Sequence, residues 1–341
     1  MTNDAIVIHK VGLLTSVGSN AAASCAAMRA KVTNLTETHF LGKDRRWISA
    51  HQIPLALSLQ GRKRLAHMAA LAIIDCLQGE EDAQFLKHVP VILCVAETDR
   101  PGRIEAIDQL LMPDIESILG TKFSENSRIV PQGRVGVAVA MMYARELLLA
   151  ENVNHVLIVA VDSLISRLTL EDYGSTERLI NKINSNGFVP GEAAGALLVS
   201  LSVSADHLLC MGIGLGTEKS TINAELPLRA DGLTNAINQA LIDSKKPNVV
   251  ISYRITDLSG EHYYFREASL ALSRSNLHVL KDFDIWHPAE SIGECGSAAG
   301  LAIVAFASEA YKKSYAPGTT VLAHMSNDNG ARAAILLGGG H

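Results

Sequence analysis

The feature that most limits the fold is an uninterrupted run of apolar residues, Val156 to Val161. A run this short suits a β-strand that is covered on both faces, as in the parallel sheet of an α/β protein. Another buried strand is predicted at Val89 to Ala96. Between and around these strands, Arg62 to Leu77 has its apolar residues at helical spacing, and Val135 to Leu149 predicts a helix rich in small residues. The alternation of strands and helices predicts the α/β class.

The alternation occurs twice along the chain, which predicts two similar halves, residues 1–203 and 204–341. The first half opens with a predicted strand at Ala5 to Val11 and a helix at Ala21 to Ala30, and it closes with a strand that ends at Leu201. No Pro-rich linker separates the halves, so we expect them to pack against each other. The second half is predicted to contain a strand at Leu208 to Leu215, helices at Leu233 to Asp243, Tyr264 to Ser273 and Ser297 to Tyr311, and strands at Val249 to Tyr253, Thr319 to His324 and Arg332 to Leu337.

The composition limits the classes of partner and compartment. Of 341 residues, 48% are hydrophobic and 19% are charged, which is enough apolar material for a large core. The net charge of -5, without a basic face, argues against nucleic acid. Five cysteines without paired or metal-ligand spacing favour a reducing, cytoplasmic compartment. A basic-then-apolar leader is not expected, because the chain reaches a predicted strand within a few residues, and no apolar run reaches the roughly 18 residues of a membrane span.

Several motifs, in order along the chain, resemble the β-ketoacyl synthase branch of the thiolase-fold enzymes. The strongest is Asn186-Gly-Phe-Val-Pro-Gly-Glu-Ala-Ala-Gly195, which differs at one glycine from the ketosynthase strand Gly-Phe-Val-x-Gly-Glu-Gly-Ala-Gly. Val7 to Gly18 resembles the opening strand and turn, Ser297 to Gly300 the start of a late helix, and Asn329 to Ala334 the closing strand. Structural glycines are expected at Gly187, Gly191, Gly195 and Gly330.

The resemblance implies a thiolase-like five-layer αβαβα fold made of two similar halves. Two central helices are expected between the sheets of the two halves. It also implies a homodimer, with the strand near Val89 to Ala96 or the strand near Val156 as the edge that meets the partner.

The chemistry of the family implies a Cys thiolate at a helix N-terminus and two histidines that bind the thioester carbonyl. Counting from Gly136 and Arg145 puts Gly133 at the Cys position, with Gln132 as the neighbouring register. Similar counting puts Tyr253 at the first His and Glu294 at the second. None of these residues can perform the family's chemistry.

Other residues offer a weaker route to catalysis. Cys295 precedes a predicted helix, and His262 follows Glu261, so a displaced nucleophile and a general base are conceivable there. The ordinary role of a residue like Cys295 is that of a small buried residue at a helix start, and that of His262 is helix capping or packing. The family's Phe gate is replaced by a polar loop, Ser326-Asn-Asp-Asn-Gly330, which suits a fatty acyl tunnel poorly.

The sequence therefore predicts a catalytically silent ketosynthase-like protein that acts by binding, as an adaptor, scaffold or partner subunit, such as an accessory to a bacterial secretion or biosynthetic system. One alternative is an acyltransferase of the 3-oxoacyl-ACP synthase type with a rewired site. Another is a chain-length-factor-like subunit, which resembles a ketosynthase with Gln at the Cys position, as Gln132 would be. An acyl thioester or acyl carrier protein is a conceivable ligand. No cofactor or metal is predicted.

Overall fold

A computed structural model describes residues 4–56, 58–78, 83–150, 153–201 and 206–339. The predicted boundary between residues 203 and 204 lies outside the described residues. The elements up to residue 200 are β1 (Ile6–Thr15), α1 (Ala21–Arg29), β2 (Thr36–Leu41), β3 (Trp47–Ala50), α2 (Gly61–Leu77), α3 (Ala83–His88), β4 (Val91–Cys94), α4 (Ile107–Leu119), β5 (Arg128–Val130), α5 (Gly136–Ala150), β6 (Val156–Ser163), α6 (Arg167–Ser175) and β7 (Glu192–Ser200).

The remaining elements repeat much of this plan. They are β8 (Leu208–Thr217), α7 (Asp231–Asp243), β9 (Val250–Thr256), α8 (His262–Arg274), β10 (His278–Trp286), α9 (Ala289–Ile292), α10 (Ala298–Lys312), β11 (Thr320–Ser326) and β12 (Ala331–Gly339). The predicted strands and helices agree with these bounds to within a few residues. The β2–β3 hairpin, α3, α6 and β10 were not predicted, because their short or mixed polar sequences lack a clear period.

The sheet order shows the internal repeat. The order is β10-β9-β11-β12-β8-β1-β7-β6-β4-β5. In the first set, β1 is antiparallel to β7, β7 is antiparallel to β6, and β6, β4 and β5 run parallel to one another. In the second set, β8 is antiparallel to β12, β12 is antiparallel to β11, and β11, β9 and β10 run parallel to one another. The two sets are not separate sheets, because β1 pairs with β8 over Ile6 to Ile8 and joins them into one sheet of ten strands.

Three hydrophobic clusters define the layers. The largest contains α5 and α10 together with residues from both sets of strands. A second packs α2 and α4 on the outside of β1, β6 and β7, and a third packs α7 and α8 on the outside of β8, β11 and β12. Along β7, Ala193 and Leu197 face the central helices while Ala194 and Leu198 face α2, as strand geometry requires. The two sets of strands thus form two layers, with α5 and α10 between them and the other helices outside, although β1 and β8 join the two sets at one edge. The predicted five-layer αβαβα fold is confirmed.

The central helices are rich in small side chains because they are covered on all sides. α10 buries every residue from Ala298 to Ala307, which covers its whole circumference. A helix that is apolar all round belongs in a protein interior. The start of α10 lies so close to the start of α5 that a Cβ at Gly300 would lie 3.0 Å from the Arg134 carbonyl oxygen. The two helix N-termini therefore meet in the middle of the molecule.

Two features lie at the margins of the fold. The strands suggested as dimer edges, β4 and β6, each have a neighbour on both sides, so that suggestion is wrong; β5 and β10 end the sheet.

The β2–β3 hairpin packs with α6 and residues 179–188 around a small cluster of Leu164, Tyr173 and Phe188. No helix in the described part of the chain is long and apolar enough to cross a membrane.

Candidate functional site

The turn that leads from β5 into α5 is closed to side chains. Gly133 has φ +52°, and a Cβ there would lie 2.1 Å from Glu97 Oε2 and 3.1 Å from Asn327 Oδ1. Neighbouring Gln132 accepts a hydrogen bond at its carbonyl oxygen from Asn327 Nδ2 (2.8 Å). Any residue larger than glycine at 133 requires the buried Glu97 carboxyl to move.

Arg134 fills the space beside this turn. It is only 8% exposed, and its backbone N–H donates to Asn327 Oδ1 (2.9 Å). Its guanidinium donates to Glu294 Oε2 (3.2 Å) and to Asp328 Oδ1 (2.6 Å). Asp257 Oδ2 lies 4.0 Å from Arg134 Nε. One arginine thus contacts carboxylates from three distant parts of the chain.

Asp328 is the second centre of the cluster. Besides Arg134, it binds the guanidinium of Arg178 through Nη1 to Oδ2 (2.6 Å) and Nη2 to Oδ1 (3.1 Å). Tyr264 Oη donates to Asp328 Oδ1, and Tyr173 Oη donates to Oδ2 (3.3 Å). Arg178 is held in turn by Glu261, with distances of 2.7 and 2.8 Å. The space around Asp328 is therefore filled by charged side chains that are paired with one another.

The carboxyl groups of the cluster differ in their protonation. Burial raises the pKa of Glu294 to about 7, although Arg134 opposes the shift. Burial likewise raises the pKa of Asp257 to about 6. Burial also acts on Asp328, but Arg134 and Arg178 outweigh it and hold the pKa of Asp328 well below its usual range. Near neutral pH, Asp328 carries the charge that balances the arginines, while Glu294 is partly protonated.

A neighbouring ion pair fixes the start of α10. Arg100 donates to both oxygens of Asp162 at 2.7 Å. Asp162 Oδ2 also accepts the Ser297 backbone N–H (2.9 Å), and Glu294 Oε1 accepts that of Gly296 (3.0 Å). Carboxylates at this helix entry satisfy backbone donors that would otherwise be unpaired.

The glycines of the family-like motifs mark close approaches of backbone to backbone. A Cβ at Gly191 would lie 2.1 Å from the Ile292 carbonyl oxygen, and one at Gly187 would lie 2.5 Å from the Arg178 carbonyl oxygen. At Gly195 the neighbour is the Leu301 side chain, at 2.0 Å. Gly330 combines φ +98° with a distance of 2.4 Å to a carbonyl oxygen. Gly191 also donates to the Glu294 carbonyl oxygen (2.8 Å), so this strand positions Glu294.

The structure brings together two of the positions found by counting. Gly133 and Glu294 meet at Arg134, whereas Tyr253 does not reach the cluster. The Tyr253 ring packs in the core against Trp286, with ring centroids 4.9 Å apart. Because β9 continues to Thr256, the side chain that faces Arg134 from this strand end is Asp257.

Cys295 and His262 lie in different environments. Cys295 is 1% exposed, and burial, together with Glu294 and Asp162, raises the pKa of its thiol well above the usual range. His262 is exposed at the start of α8, where its backbone N–H donates to Asn186 Oδ1 (2.9 Å). The thiol is held in the unreactive protonated form.

Arg134, Arg178 and their partner Asp328 were not predicted from the sequence as site residues. Arg134 adjoins the counted Cys position, but an arginine at a helix start is ordinarily a surface residue. Only the convergence of Glu294, Asp257 and Asp328 on this position explains its burial. The signal in the sequence was the acidic residue Glu294 at the second His position, because a buried carboxylate needs a cation as its partner.

The space left in the cluster is very small. The cavity lined by Arg134, Arg178, Glu294 and Asp328 measures about 10 Å³. That is room for about one water molecule, whereas sites for small organic ligands usually measure roughly 300–1,000 Å³. Among the described residues, no group of three or more His, Cys, Asp or Glu side chains is arranged to hold a metal ion.

Known proteins were compared with the chain by sequence and by structure. Neither the protein-family models nor the curated proteins gave a sequence match. In solved structures, a chain of the AntDE:AntF complex, a type II polyketide synthase acyl carrier protein with its ketosynthase, matches with a TM-score of 0.77 and 14% identity over 98% of this chain and 99% of that one. The chain has the thiolase-like fold of the ketosynthases. A β-ketoacyl synthase from Burkholderia phymatum STM815 matches at a TM-score of 0.73 and 14% identity, over 99% and 100% of the two chains.

A further match concerns a heteromeric ketosynthase. A chain from the complex of the ketosynthase ApeO with its chain length factor ApeC, from Xenorhabdus doucetiae, matches at a TM-score of 0.73 and 12% identity. The match covers 98% of each chain. At such identities, the ketosynthase fold is what the comparison establishes.

Proposed function

We propose that this protein is a catalytically silent ketosynthase-like protein that acts by binding other proteins, as an adaptor, scaffold or partner subunit of a bacterial secretion or biosynthetic system. The observation that carries the proposal is the turn at Gly133, which has no side chain and where a Cβ would lie 2.1 Å from Oε2 of the buried Glu97. Acyl transfer through a covalent intermediate needs a nucleophile with space around it.

Two further observations support the absence of acyl transfer. The buried thiol of Cys295 has a raised pKa, and a thiol rather than a thiolate is a weak nucleophile. The cavity beside Arg134 holds about 10 Å³, too little for even a short acyl group on a thioester. The rewired acyltransferase is therefore the less favoured function.

The binding role is supported by an open sheet edge. β5 ends the sheet on one side with the backbone of Arg128 to Val130, and an unpaired edge is a template for pairing with another chain. We propose that two copies of the chain associate along this edge. Native mass spectrometry should give twice the mass of the chain, and an Ile129→Pro variant should shift the mass toward the monomer because proline cannot donate to a ladder.

A chain-length-factor-like subunit is the second candidate function. It is favoured by the full-length likeness to a chain from a ketosynthase and chain length factor complex. The expected difference lies in the assembly: a chain length factor forms a stable heterodimer with an active ketosynthase, whereas the adaptor is isolated without one. Co-expression with ketosynthases encoded near its gene, followed by native mass spectrometry, distinguishes the two.

A reducing compartment is part of the proposal. All five cysteines are free and buried, and secreted proteins of comparable cysteine content tend to form disulfides. Cytoplasmic residence is therefore proposed.

The decisive experiment measures covalent acylation. The protein is incubated with acyl-CoA and with acyl carrier protein thioesters, and its intact mass is then determined. We expect an unchanged mass. An increase by one acyl group that disappears in Cys295→Ala would overturn the silent function and identify the nucleophile. An increase that persists in that variant would overturn it equally and direct the search to another side chain.

A further inference from the structure

The carboxylate of Asp328 receives more hydrogen bonds than a structural ion pair requires. Oδ1 accepts from Arg134 Nη2 (2.6 Å), Arg178 Nη2 (3.1 Å) and Tyr264 Oη. Oδ2 accepts from Arg178 Nη1 (2.6 Å) and Tyr173 Oη (3.3 Å). Two guanidinium groups and two phenols thus surround one carboxylate from several directions. Proteins that bind a carboxylate ligand use the same kinds of donor.

Both guanidinium groups are held in place by partners other than Asp328. Glu261 binds Arg178 through both oxygens, and Glu294 binds Arg134. The Tyr264 hydroxyl also accepts from Arg134 Nη2 (3.2 Å). Loss of the Asp328 carboxylate would therefore leave the positions of both guanidinium groups supported.

The loop that carries Asp328 is also anchored without its carboxylate. Asn327 bonds through its side chain to Arg134 N and to the Gln132 carbonyl oxygen, and its backbone N–H donates to the Ala331 carbonyl oxygen (2.9 Å). Gly330 N–H closes the turn onto the Asn327 carbonyl oxygen (3.2 Å). The carboxylate can thus be removed by mutation while the loop keeps most of its contacts.

The local potential favours an anion at this point. Burial alone would raise the pKa of Asp328, yet Arg134 and Arg178 lower it well below the usual range. The Asp328 side chain retains 19% exposure, so the position can be reached from solvent. The stabilisation belongs to the surrounding donors and is available to any carboxylate of the same size.

We propose that Arg134, Arg178, Tyr173 and Tyr264 form a binding site for a small monocarboxylate, which Asp328 occupies as an internal ligand. The site takes an anion no larger than acetate, since the cavity around it measures about 10 Å³. This inference goes beyond the proposed function and does not rest on it. The two remain separable: an acyl adduct would overturn the silent function without affecting carboxylate binding.

Two variants with matched ligands test the proposal. Asp328→Gly removes the equivalent of acetate, and Asp328→Ala removes the equivalent of formate. Each variant is unfolded by heat at pH 7 in sodium acetate, sodium formate or sodium chloride at equal ionic strength. We expect acetate to raise the Tm of Asp328→Gly, and formate to raise that of Asp328→Ala more than acetate does. At a ligand concentration ten times the Kd, the folding equilibrium constant should rise about tenfold.

The controls separate a filled site from a general salt effect. Wild type and Asp328→Asn, whose sites are already filled, should show the same Tm in acetate as in chloride. Acetamide, which matches acetate in shape but has no charge, should not stabilise Asp328→Gly, and neither should the longer butyrate. The proposal is overturned if acetate stabilises wild type as much as Asp328→Gly, or if acetamide is as effective as acetate.

A refolding measurement covers the case in which a variant is unfolded in buffer. Asp328→Gly is then diluted from urea into acetate or chloride, and the folded fraction is read by near-ultraviolet circular dichroism. A larger folded fraction in acetate supports the site. Equal fractions in acetate and chloride for both variants overturn it.

Discussion

Gly133→Ala should destabilise the protein more than a backbone effect alone can explain. At φ +52° an alanine costs roughly 1–2 kcal/mol relative to glycine. The new Cβ would also lie 2.1 Å from Glu97 Oε2, and forcing extra atoms into a packed interior costs about 1–3 kcal/mol more. The expected loss in the free energy of unfolding is therefore about 2–5 kcal/mol.

The chain supplies a matched control for the backbone part. Gly61 has φ +53° and nothing within 4 Å of its would-be Cβ, so Gly61→Ala should show the backbone cost alone. Urea unfolding followed by circular dichroism gives both values. Glu97→Ala removes the main obstruction, and in that background the cost of Gly133→Ala should fall toward that of Gly61→Ala, with only the 3.1 Å contact to Asn327 Oδ1 remaining. Equal costs for the two glycine variants in the wild-type background would refute the steric reasoning.

Two other predictions concern the buried charges. The folded protein holds a proton on Glu294 up to about pH 7, while the unfolded chain releases it near 4.5, so this group's contribution to stability is full below pH 4.5 and lost as the pH rises to 7. Urea unfolding should show Glu294→Gln gaining about 3 kcal/mol relative to wild type over this range, and a flat difference would mean that Glu294 is already ionised when folded. Arg332 and Glu267 form an ion pair with 0% side-chain exposure, so Arg332→Met should cost about 3–5 kcal/mol because it leaves a buried carboxylate unpaired. Arg167→Met, which removes an exposed pair, should leave the urea midpoint close to that of wild type, and equal losses for the two variants would contradict this contrast.

The fold could be predicted largely from sequence because its signals are local. The apolar run of β6 and the helical spacing of α2 require only the period of each element. The likeness of the Asn186 to Gly195 motif to a ketosynthase strand indicated the order of the elements along the chain. Its glycines Gly187 and Gly191 lie where two backbone segments pack closely. The pairing of β1 with β8 could not be predicted, because nothing in either strand specifies its neighbour.

The candidate site was predicted less well because it depends on where strands end. Counting back from Gly260 and Glu261 put Tyr253 at the site, but β9 continues to Thr256, and the residue that lies beside Arg134 is Asp257. The burial of Arg134 depends on three carboxyl groups that are far apart in sequence. The placement of Gly133 at the start of α5 needed only the pattern of that helix, which is local.

The pairing of β1 with β8 at three positions also bears on how the molecule unfolds. The first strand of the chain lies at the centre of the ten-stranded sheet, between β7 and β8. Each half therefore contributes strands and one central helix to a single shared hydrophobic core, in which its residues pack against those of the opposite half. Denaturation should proceed as one cooperative transition, in which neither half persists alone. Two internal copies of one topology have become a single thermodynamic unit.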